Sequence, residues 1–414
     1  MAQGVPGAAV GVLRHGQRVA AYCGVADLRT ASPVTASTRF GIGSLTKLMV
    51  ASALAVLDAE HQLSLDDQVA SRVPELRRCP WAQTATLRDL LANRSPVPLR
   101  SALEFGFDEH NGDDDRALAR LVEEVAQQAP SGEHWSYANV GWCALGRVIE
   151  TVTGVVWEEA MPRLLAGAGL CETTWTTSAN VDRAIGHDAS PGGPIRVEPL
   201  LCRAFSPAGA TIASTLEDML RFAAWHLADS VTAPLRVVHA DVSIPGWFDA
   251  WGLGLGRFDW GDTEVWGWDG VVNGQRSVLR LLPDRAGAVV VLSNGSAGRA
   301  VARSVLAEVV PARFGVNVAS RRLDPPPDVP EQLTPYAGAY GWPDRRVDVT
   351  ESARGLLVSE DGIAREAMPL DRRTFLLDRD DPDTPTVTFD DFDRAGRPGV
   401  LYDMVWGLGR LPHP

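Results

Sequence analysis

A serine and a lysine in the stretch "FGIGSLTKLMV" have the types and spacing needed for proton transfer. The chain has 414 residues with 39 lysines and arginines, and Lys47, three positions after Ser44, is its one lysine. A guanidinium keeps its proton in any protein, whereas burial can shift an ammonium group to its neutral form. Residues i and i+3 of a helix share a face, so a neutral Lys47 could accept the proton of Ser44 and activate it as a nucleophile. The alternative is that one lysine has persisted by drift beside an unrelated serine.

Tyr137 and Asn139 form a second candidate group, in the stretch "HWSYANVGW" before a predicted helix. A tyrosine hydroxyl can pass a proton between a base and a leaving group, and an asparagine amide can donate to a substrate carbonyl. Taken alone, this stretch is better explained by a buried tyrosine that packs with Trp135 and Trp142.

The third candidate is the stretch Trp268-Asp269-Gly270-Val271. Gly270 would let backbone approach a substrate, and Val271 would present a backbone N–H from a strand. Taken alone, this stretch is simply a strand marked by a glycine. Trp268 is the tryptophan we expect to line an acyl pocket, whereas most tryptophans of this region are expected to pack between sheet and helices. Five of them fall within 22 positions: Trp247, Trp251, Trp260, Trp266 and Trp268.

The order of the predicted elements would bring these residues into one domain. Runs rich in β-formers flank His15-Gly16, a helix follows from Ser44, and residues 87–170 are predicted to be mainly helical. Further on, the sequence predicts a helix capped by Ser214 with Glu217, strands at 277–282 and 288–293, and a helix over 298–312. Strands therefore precede and follow a helical middle. This order predicts an α/β sandwich with an antiparallel sheet and an inserted all-helical subdomain.

A proline-rich stretch, "DPPPDVPEQLTP", marks a boundary near the end of the chain. Prolines lack N–H donors and hold a chain extended, which is typical of a linker. Short alternating segments follow, among them "RRVDVTES" and "TVTFDDF", and these predict a small all-β barrel. The predicted domains are 1–322, with a helical subdomain at about 61–205, a linker at 323–335, and a β domain at 336–414.

Composition narrows the classes of function. The formal net charge of -13 would repel a polyanion, so nucleic acid is not an expected partner. The amino terminus lacks the basic region of a signal peptide, and no apolar run approaches the ~20 residues of a membrane span. Five widely spaced cysteines without a C-x-x-C pair are typical of reduced core residues. We therefore expect a cytoplasmic protein that makes no contact with membranes.

Two other kinds of site are disfavoured. A Ser-His-Asp hydrolase of the nucleophile-elbow type would need the pentapeptide G-x-S-x-G, which does not occur in this chain. His110 lies in the acidic stretch "FDEHNGDDD", but its spacing fits no metal-binding loop and acidic runs are usually solvated. We predict no metal and no cofactor.

In combination, the S-x-x-K, Y-x-N and x-x-G motifs resemble those of the serine β-lactamase and penicillin-binding-protein superfamily. The class C β-lactamase-like branch is the most similar in pattern, and it includes family VIII carboxylesterases, D-aminopeptidases and acyltransferases. The resemblance covers about residues 5–315, and the tail resembles the lipocalin-like β domain of some members. It implies that Ser44 is the acylated nucleophile, that Lys47 and Tyr137 are the acid/base pair, and that Asn139 contacts the substrate. The backbone N–H groups of Ser44 and Val271 would then form the oxyanion hole.

Two departures from the family pattern bear on the substrate. The third motif of lactamases and carboxypeptidases is K-T-G or H-x-G, whose polar groups help to hold a substrate carboxylate. Here it reads Trp268-Asp269-Gly270, in which Asp269 would repel such a carboxylate and Trp268 offers an apolar face. In addition, "LLANRSPVP" replaces the usual stretch like H-T-S-G-L, and Arg94 there could alter the rim of the cleft.

These patterns predict a serine hydrolase that forms a covalent acyl-enzyme with a small-molecule or peptide ester or amide. An acyltransferase, either a transacylase or a cyclase, would share every step through acylation. A catalytically silent ligand-binding member is a third possibility, although a silent site would have no reason to keep the one lysine.

Overall fold

The computed structural model describes residues 4–97, 99, 114–127, 134–175, 183–197, 202–318, 330–377 and 386–412. Twelve strands lie before residue 300 in this part of the chain. They are β1 (Gly7–Arg14), β2 (Gln17–Asp27), β3 (Ser32–Pro33), β4 (Phe40–Gly41), β5 (His187–Asp188), β6 (Ile195–Arg196), β7 (Ala213–Ser214), β8 (Ala250–Trp251), β9 (Gly256–Trp260), β10 (Thr263–Val272), β11 (Gln275–Leu282) and β12 (Gly287–Ser293).

Eight of these strands form one sheet, in the order β3-β2-β1-β12-β11-β10-β9-β8. The first hairpin turns at His15 and Gly16, both with positive φ, as the sequence predicts. Strand β1 then pairs antiparallel with β12, so that Ala8 lies opposite Ser293. Segments from both ends of the first 300 residues thus complete a single antiparallel sheet, which confirms the predicted architecture.

Helices cover both faces of this sheet. The helices of the described residues are α1 (Leu45–Ala59), α2 (Val69–Arg72), α3 (Pro80–Thr84), α4 (Leu87–Leu91), α5 (Ala117–Val125), α6 (Asn139–Thr153), α7 (Trp157–Leu164), α8 (Leu216–Ala228) and α9 (Gly298–Phe314). Helix α9 packs Ala302, Leu306 and Val310 against one face of the sheet. Helices α1 and α8 belong to the larger hydrophobic core on the other face. Because α1 lies between the sheet and the helical region, nearly all of its residues are buried.

Two details differ from the sequence expectations. The residue that caps α8 is Thr215, whose side chain accepts from the backbone N–H of Asp218, and not the predicted Ser214 with Glu217. Both pairs have the spacing of a capping box, and the strand pairing of Ser214 with Phe40 decides between them. The region 61–205, predicted to be all helical, contains α2–α7 and also a two-stranded sheet of β5 and β6.

The second domain is a closed antiparallel barrel of eight strands, as predicted. Its strands are β13 (Gly338–Trp342), β14 (Arg345–Glu351), β15 (Leu356–Glu360), β16 (Ile363–Pro369), β17 (Thr374–Leu376), β18 (Thr386–Phe392), β19 (Pro398–Asp403) and β20 (Trp406–Arg410). Residues 319–329, which hold most of the predicted linker, lie outside the described residues.

Aromatic rings fill the inside of the barrel. Tyr336, Phe375 and Phe389 meet edge to face, with ring centroids 5.1–5.5 Å apart, and Tyr340 packs against Phe389. A small barrel filled in this way is a packed core. Across both domains, none of the described helices combines the length and the apolar character needed to span a bilayer.

Candidate functional site

Ser44 and Lys47 lie at the amino-terminal end of α1, one helical turn apart. Ser44 immediately precedes the helix and is half-buried, whereas the Lys47 side chain is fully buried. Lys47 Nζ lies 3.1 Å from Ser44 Oγ, within hydrogen-bond distance. It also donates to the Ala208 carbonyl oxygen at 2.6 Å. The i, i+3 spacing read from the sequence therefore brings the two groups together.

Two glycines bring the backbone before Ser44 against the end of β10. A β-carbon on Gly43 would lie 2.5 Å from the Val271 backbone nitrogen, and one on Gly270 would overlap with the Ile42 carbonyl oxygen. That carbonyl accepts a hydrogen bond from Ser277 Oγ at 2.6 Å. Side chains at either glycine would separate the segments, so both positions favour glycine. This close approach places the backbone of Val271 beside the segment that leads into Ser44.

The strand register decides where the Val271 N–H points. Strands β10 and β11 are joined by a two-residue turn at Asn273-Gly274, both with positive φ, so Val272 and Gln275 form its closing pair. The next pair, Val271 with Arg276, is then of the non-hydrogen-bonded type, and its N–H groups point away from the partner strand. Strand β9 pairs with β10 only as far as Gly267. The Val271 N–H therefore points from an open strand edge toward Gly43 and Ser44.

Tyr137 closes the other side of the pair. Lys47 Nζ lies 4.8 Å from the centroid of the Tyr137 ring. The Tyr137 hydroxyl oxygen accepts from Trp268 Nε1 at 3.3 Å, and the two rings stack with centroids 5.7 Å apart. Tyr137 is buried, as expected, and its ring packs against those of Trp268 and Trp251. The structure thus brings Tyr137 beside Lys47 within a buried aromatic cluster.

Asn139 is the first residue of α6 and is half-buried, two positions after Tyr137.

Aromatic rings enclose Trp268: Trp251 meets it edge-on with ring centroids 4.6 Å apart, and the rings of Phe248 and Trp247 lie within 6.5 Å of it. The surroundings of Trp268 are therefore apolar.

Asp269 lies on the opposite face of the sheet from this apolar wall. Successive side chains of a strand alternate between faces, and Trp268 joins the core that contains α1 whereas Val265, on the Asp269 face, packs with α9. The Asp269 carboxylate forms an ion pair of 2.7 Å with Arg280. The structure thus does not bring the Asp269 side chain to Ser44, and Arg280 balances the charge that we expected to repel a substrate carboxylate.

Two residues near Lys47 were missed by the sequence reasoning. Ala208, whose carbonyl accepts from Lys47, ends a 3-10 helix at Arg203–Ala208 and precedes Gly209, which has a φ of +117°. A β-carbon on Gly209 would overlap with the Gly43 carbonyl, so this loop lies directly against the segment before Ser44. No sequence signal assigns a role to a backbone carbonyl such as that of Ala208. Trp251 was assigned to the core, and its contact with Tyr137 depends on tertiary packing.

The remaining expectations concern the rim and a metal. Arg94 donates to the His239 carbonyl oxygen at 3.0 Å, which ties the replaced rim stretch to the segment before β8. His110 lies outside the described residues. Among the residues that the structure describes, no three His, Cys, Asp or Glu side chains are grouped so as to hold a metal ion.

Comparison with known proteins places the chain in a family. The beta-lactamase family matches residues 1–310. The chain belongs to this family. It is 30% identical over 361 residues to "Penicillin-binding protein 4" of Amycolatopsis lactamdurans, a match that covers 81% of this chain and 93% of that protein. The family and this relative support a serine hydrolase that acts on ester or amide bonds.

Two solved structures resemble the whole chain, barrel included. The crystal structure of SurE superposes with a TM-score of 0.80 at 27% identity, covering 99% of this chain and 96% of that one. The octameric penicillin-binding protein homologue from Pyrococcus abyssi gives a TM-score of 0.68 at 20% identity, covering 98% and 96%. The second likeness concerns the fold alone, and it extends over both domains.

Proposed function

We propose that this member of the beta-lactamase family hydrolyses esters or amides through a covalent acyl-enzyme on Ser44, with Lys47 as its general base. The observation that carries the proposal is the 3.1 Å distance between Ser44 Oγ and a fully buried Lys47 Nζ. A serine hydroxyl is a weak nucleophile until a neighbouring base takes its proton.

The surroundings of Lys47 suit a neutral amine. Removal from water disfavours an ammonium ion relative to the uncharged amine. A neutral amine has two N–H donors and one lone pair, so it can donate to the Ala208 oxygen and still accept from the Ser44 hydroxyl. The Ala208 contact would thereby direct the lone pair toward Ser44.

The proposed reaction has two halves. Lys47 takes the Ser44 proton while Ser44 Oγ attacks the substrate carbonyl, and the backbone N–H groups of Ser44 and Val271 bind the oxyanion. Tyr137 and Lys47 return the proton to the leaving group, which departs and leaves Ser44 acylated. Water then attacks the ester with the same groups acting in reverse. Asn139 is proposed to orient the substrate carbonyl through its side-chain amide.

The proposed substrate carries no free carboxylate beside the bond that breaks. Trp268 stands where relatives with K-T-G or H-x-G have polar groups, and its aromatic neighbours continue the apolar wall. Burying a carboxylate against such a wall without a partner would be costly. SurE has also been solved with D-Leu, at 27% identity to this chain, and we propose on that basis a D-configured acyl residue.

Labelling with a fluorophosphonate probe tests the assignment of Ser44. We expect intact-mass analysis to find one adduct on the parent protein and none on Ser44→Ala. Ser52→Ala is the matched control, because Ser52 lies on the same helix and donates to the Leu48 carbonyl. Undiminished labelling of Ser44→Ala would refute the proposal, and so would an absence of adducts on the parent across a panel of esters, which would indicate a silent binding protein.

Acyl transfer to an amine or alcohol is the second candidate function. The aromatic wall around Trp268 favours it, since an apolar pocket limits the access of water to an acyl-enzyme. Incubation with an ester or thioester donor and competing acceptors, followed by mass analysis of the products, separates the two. Free acid alone indicates hydrolysis, and acylated acceptor indicates transfer.

We propose that the protein acts in the cytoplasm, where its five cysteine thiols would remain reduced.

A further inference from the structure

The barrel contacts the segment that carries Tyr137. The Tyr137 backbone N–H donates to the Val405 carbonyl oxygen at 3.0 Å. One residue earlier, Ser136 Oγ accepts from the Gly407 backbone N–H at 3.0 Å, and this hydrogen bond is buried. Val405 and Gly407 belong to the hairpin between β19 and β20, so residues of the second domain bond both the Tyr137 backbone and the Ser136 side chain.

Strand β20 is shaped for this close approach. Leu408 is fully buried, and the alternation of a strand places Gly407 and Gly409 together on the other face. A β-carbon on Gly407 would lie 2.6 Å from the Trp135 carbonyl oxygen, and one on Gly409 would lie 3.6 Å from the His134 ring. A side chain at Gly407 would hold the 134–137 segment away from the barrel, whereas the Gly409 distance is that of an ordinary contact.

The hairpin itself is held firmly within the barrel. Asp403 and Trp406 close its two-residue turn, and Arg345 of β14 forms ion pairs with both Asp403 of β19 and Glu360 of β15. Trp342 Nε1 donates to the Gly407 carbonyl oxygen at 2.9 Å. A hairpin held in this way can fix the position of the Ser136–Tyr137 segment, to which it is hydrogen-bonded.

On the catalytic side, Tyr137 is fixed through its ring and its hydroxyl. The ring stacks on Trp268 and lies 4.8 Å from Lys47 Nζ. The segment before it bonds to the first domain as well, since the Ser136 N–H donates to the Asn93 carbonyl oxygen at 3.1 Å. The Ser136–Tyr137 segment is therefore held between the two domains, and the Val405 contact at Tyr137 is one residue from Ser136, whose hydroxyl accepts from Gly407.

We propose that the β19–β20 hairpin positions Tyr137 for acid–base chemistry, so that the barrel domain is part of the catalytic apparatus. Val405 and Gly407 act as positioning residues, because they contact the Tyr137 segment through the Tyr137 backbone N–H and the Ser136 hydroxyl. This inference rests on the proposed role of Tyr137. Displacing a catalytic group by about 1 Å can lower a rate by about 100-fold, and a β-carbon 2.6 Å from a carbonyl oxygen requires a shift approaching that size.

The test is a double-mutant cycle in the full-length protein, read as the rate of fluorophosphonate labelling. Gly407→Ala should lower the maximal labelling rate about 10- to 100-fold while the half-saturating probe concentration changes little. Gly407→Ala combined with Tyr137→Phe should label no more slowly than Tyr137→Phe alone, because the hairpin acts through the hydroxyl that is already absent.

Gly396→Ala is the matched control. Gly396 has a φ of +76° and lies in the turn at the opposite end of β19, where a β-carbon would meet nothing within 4 Å. This variant should label at the parent rate. If Gly407→Ala does not fold, Ser136→Ala replaces it in the cycle, since it removes the acceptor of the Gly407 N–H without adding an atom.

The possible outcomes distinguish a failure of the hairpin proposal from a failure of the proposed function. Labelling of Gly407→Ala at the parent rate, or a double variant slowed by the product of the two single effects, would overturn the role of the hairpin alone. A Tyr137→Phe protein that labels at the parent rate would remove the acid–base role on which the hairpin depends. Labelling of Ser44→Ala would refute the nucleophile itself.

Discussion

Replacing Lys47 by methionine separates its chemical role from its packing role. Lys47 is fully buried, and methionine has a similar length, an adaptable shape and no proton to exchange. The substitution removes Lys47 Nζ, which lies 3.1 Å from Ser44 Oγ and whose lone pair is the proposed base. It also removes the hydrogen bond of 2.6 Å that Nζ donates to the Ala208 carbonyl oxygen. Activity and stability should therefore change by different amounts.

The two effects can be estimated from these contacts. A general base contributes about 10²- to 10⁴-fold to a rate, so the labelling rate of Lys47→Met should fall by that factor, which corresponds to about 3–5 kcal/mol in the barrier. Loss of a donor to a buried carbonyl costs roughly 1–3 kcal/mol in the free energy of unfolding. Relief from burying an ionisable amine opposes that cost.

The assay compares labelling rates by intact mass with denaturant unfolding of the same samples. Lys47→Arg is the informative second variant, because it keeps a cation but cannot release a proton. We expect both variants to fold and both to label at least 100-fold more slowly than the parent. If Lys47→Arg labels at the parent rate, Lys47 acts only as a positive charge and the proton-transfer reasoning is refuted.

Three further predictions concern residues around the site and in the core. A β-carbon on Gly270 would overlap with the Ile42 carbonyl, so Gly270→Ala should displace the backbone before Ser44 and lower labelling about 100-fold. Asp269→Asn should cost about 1–3 kcal/mol of stability, because Arg280 is buried, while the labelling rate stays within about threefold. Burial and a neighbouring guanidinium lower the pKa of His226 from 6.5 to about 3, so its contribution to stability is complete above pH 6.5. Acidification from pH 6.5 toward 3 should remove about 1.4 kcal/mol per pH unit, a slope that His226→Gln should lack in denaturant titrations.

Controls and contrary outcomes are available for each of these. Gly261→Ala, the control for Gly270→Ala, likewise adds a β-carbon to a glycine, but in open space at the turn before β10, and it should label at the parent rate. A loss of labelling in Asp269→Asn as large as that in Gly270→Ala would show that the carboxylate reaches the substrate. If the free energies of unfolding of the parent and of His226→Gln fall equally with acidification, folded His226 binds its proton as readily as unfolded His226, and its pKa is not lowered by folding.

Much of the fold follows from local signals that tertiary packing did not override. The hairpin at His15-Gly16 needs two residues with positive φ, and the barrel strands alternate in the way that a one-sided core requires. The capping of α8 shows the limit of such signals. Ser214 and Thr215 are each followed by an acidic residue three positions on, and only the pairing of Ser214 with Phe40 makes Thr215 the cap.

The candidate site divides in the same way. Ser44 and Lys47 are a local pair, so their convergence follows from helix geometry. The assignment of Asp269 to the substrate did not follow, because a motif gives residue order but not the face of the sheet on which a side chain lies. The partner of that carboxylate, Arg280, is eleven residues away on the next strand.

The sequence by itself determined which residues could exchange a proton, since a lone lysine one turn from a serine is a matter of residue chemistry and helical period. It also determined the two-domain plan, through alternating hydrophobicity and a run of prolines. The tertiary structure alone decided that the Ala208 carbonyl holds the amine, that the Val271 N–H points from an open strand edge, and that the barrel bonds to the backbone of Tyr137. Each of these contacts involves a main-chain atom. Because main-chain groups are nearly the same in every residue, the residue types do not indicate which of these groups will meet when distant segments come together.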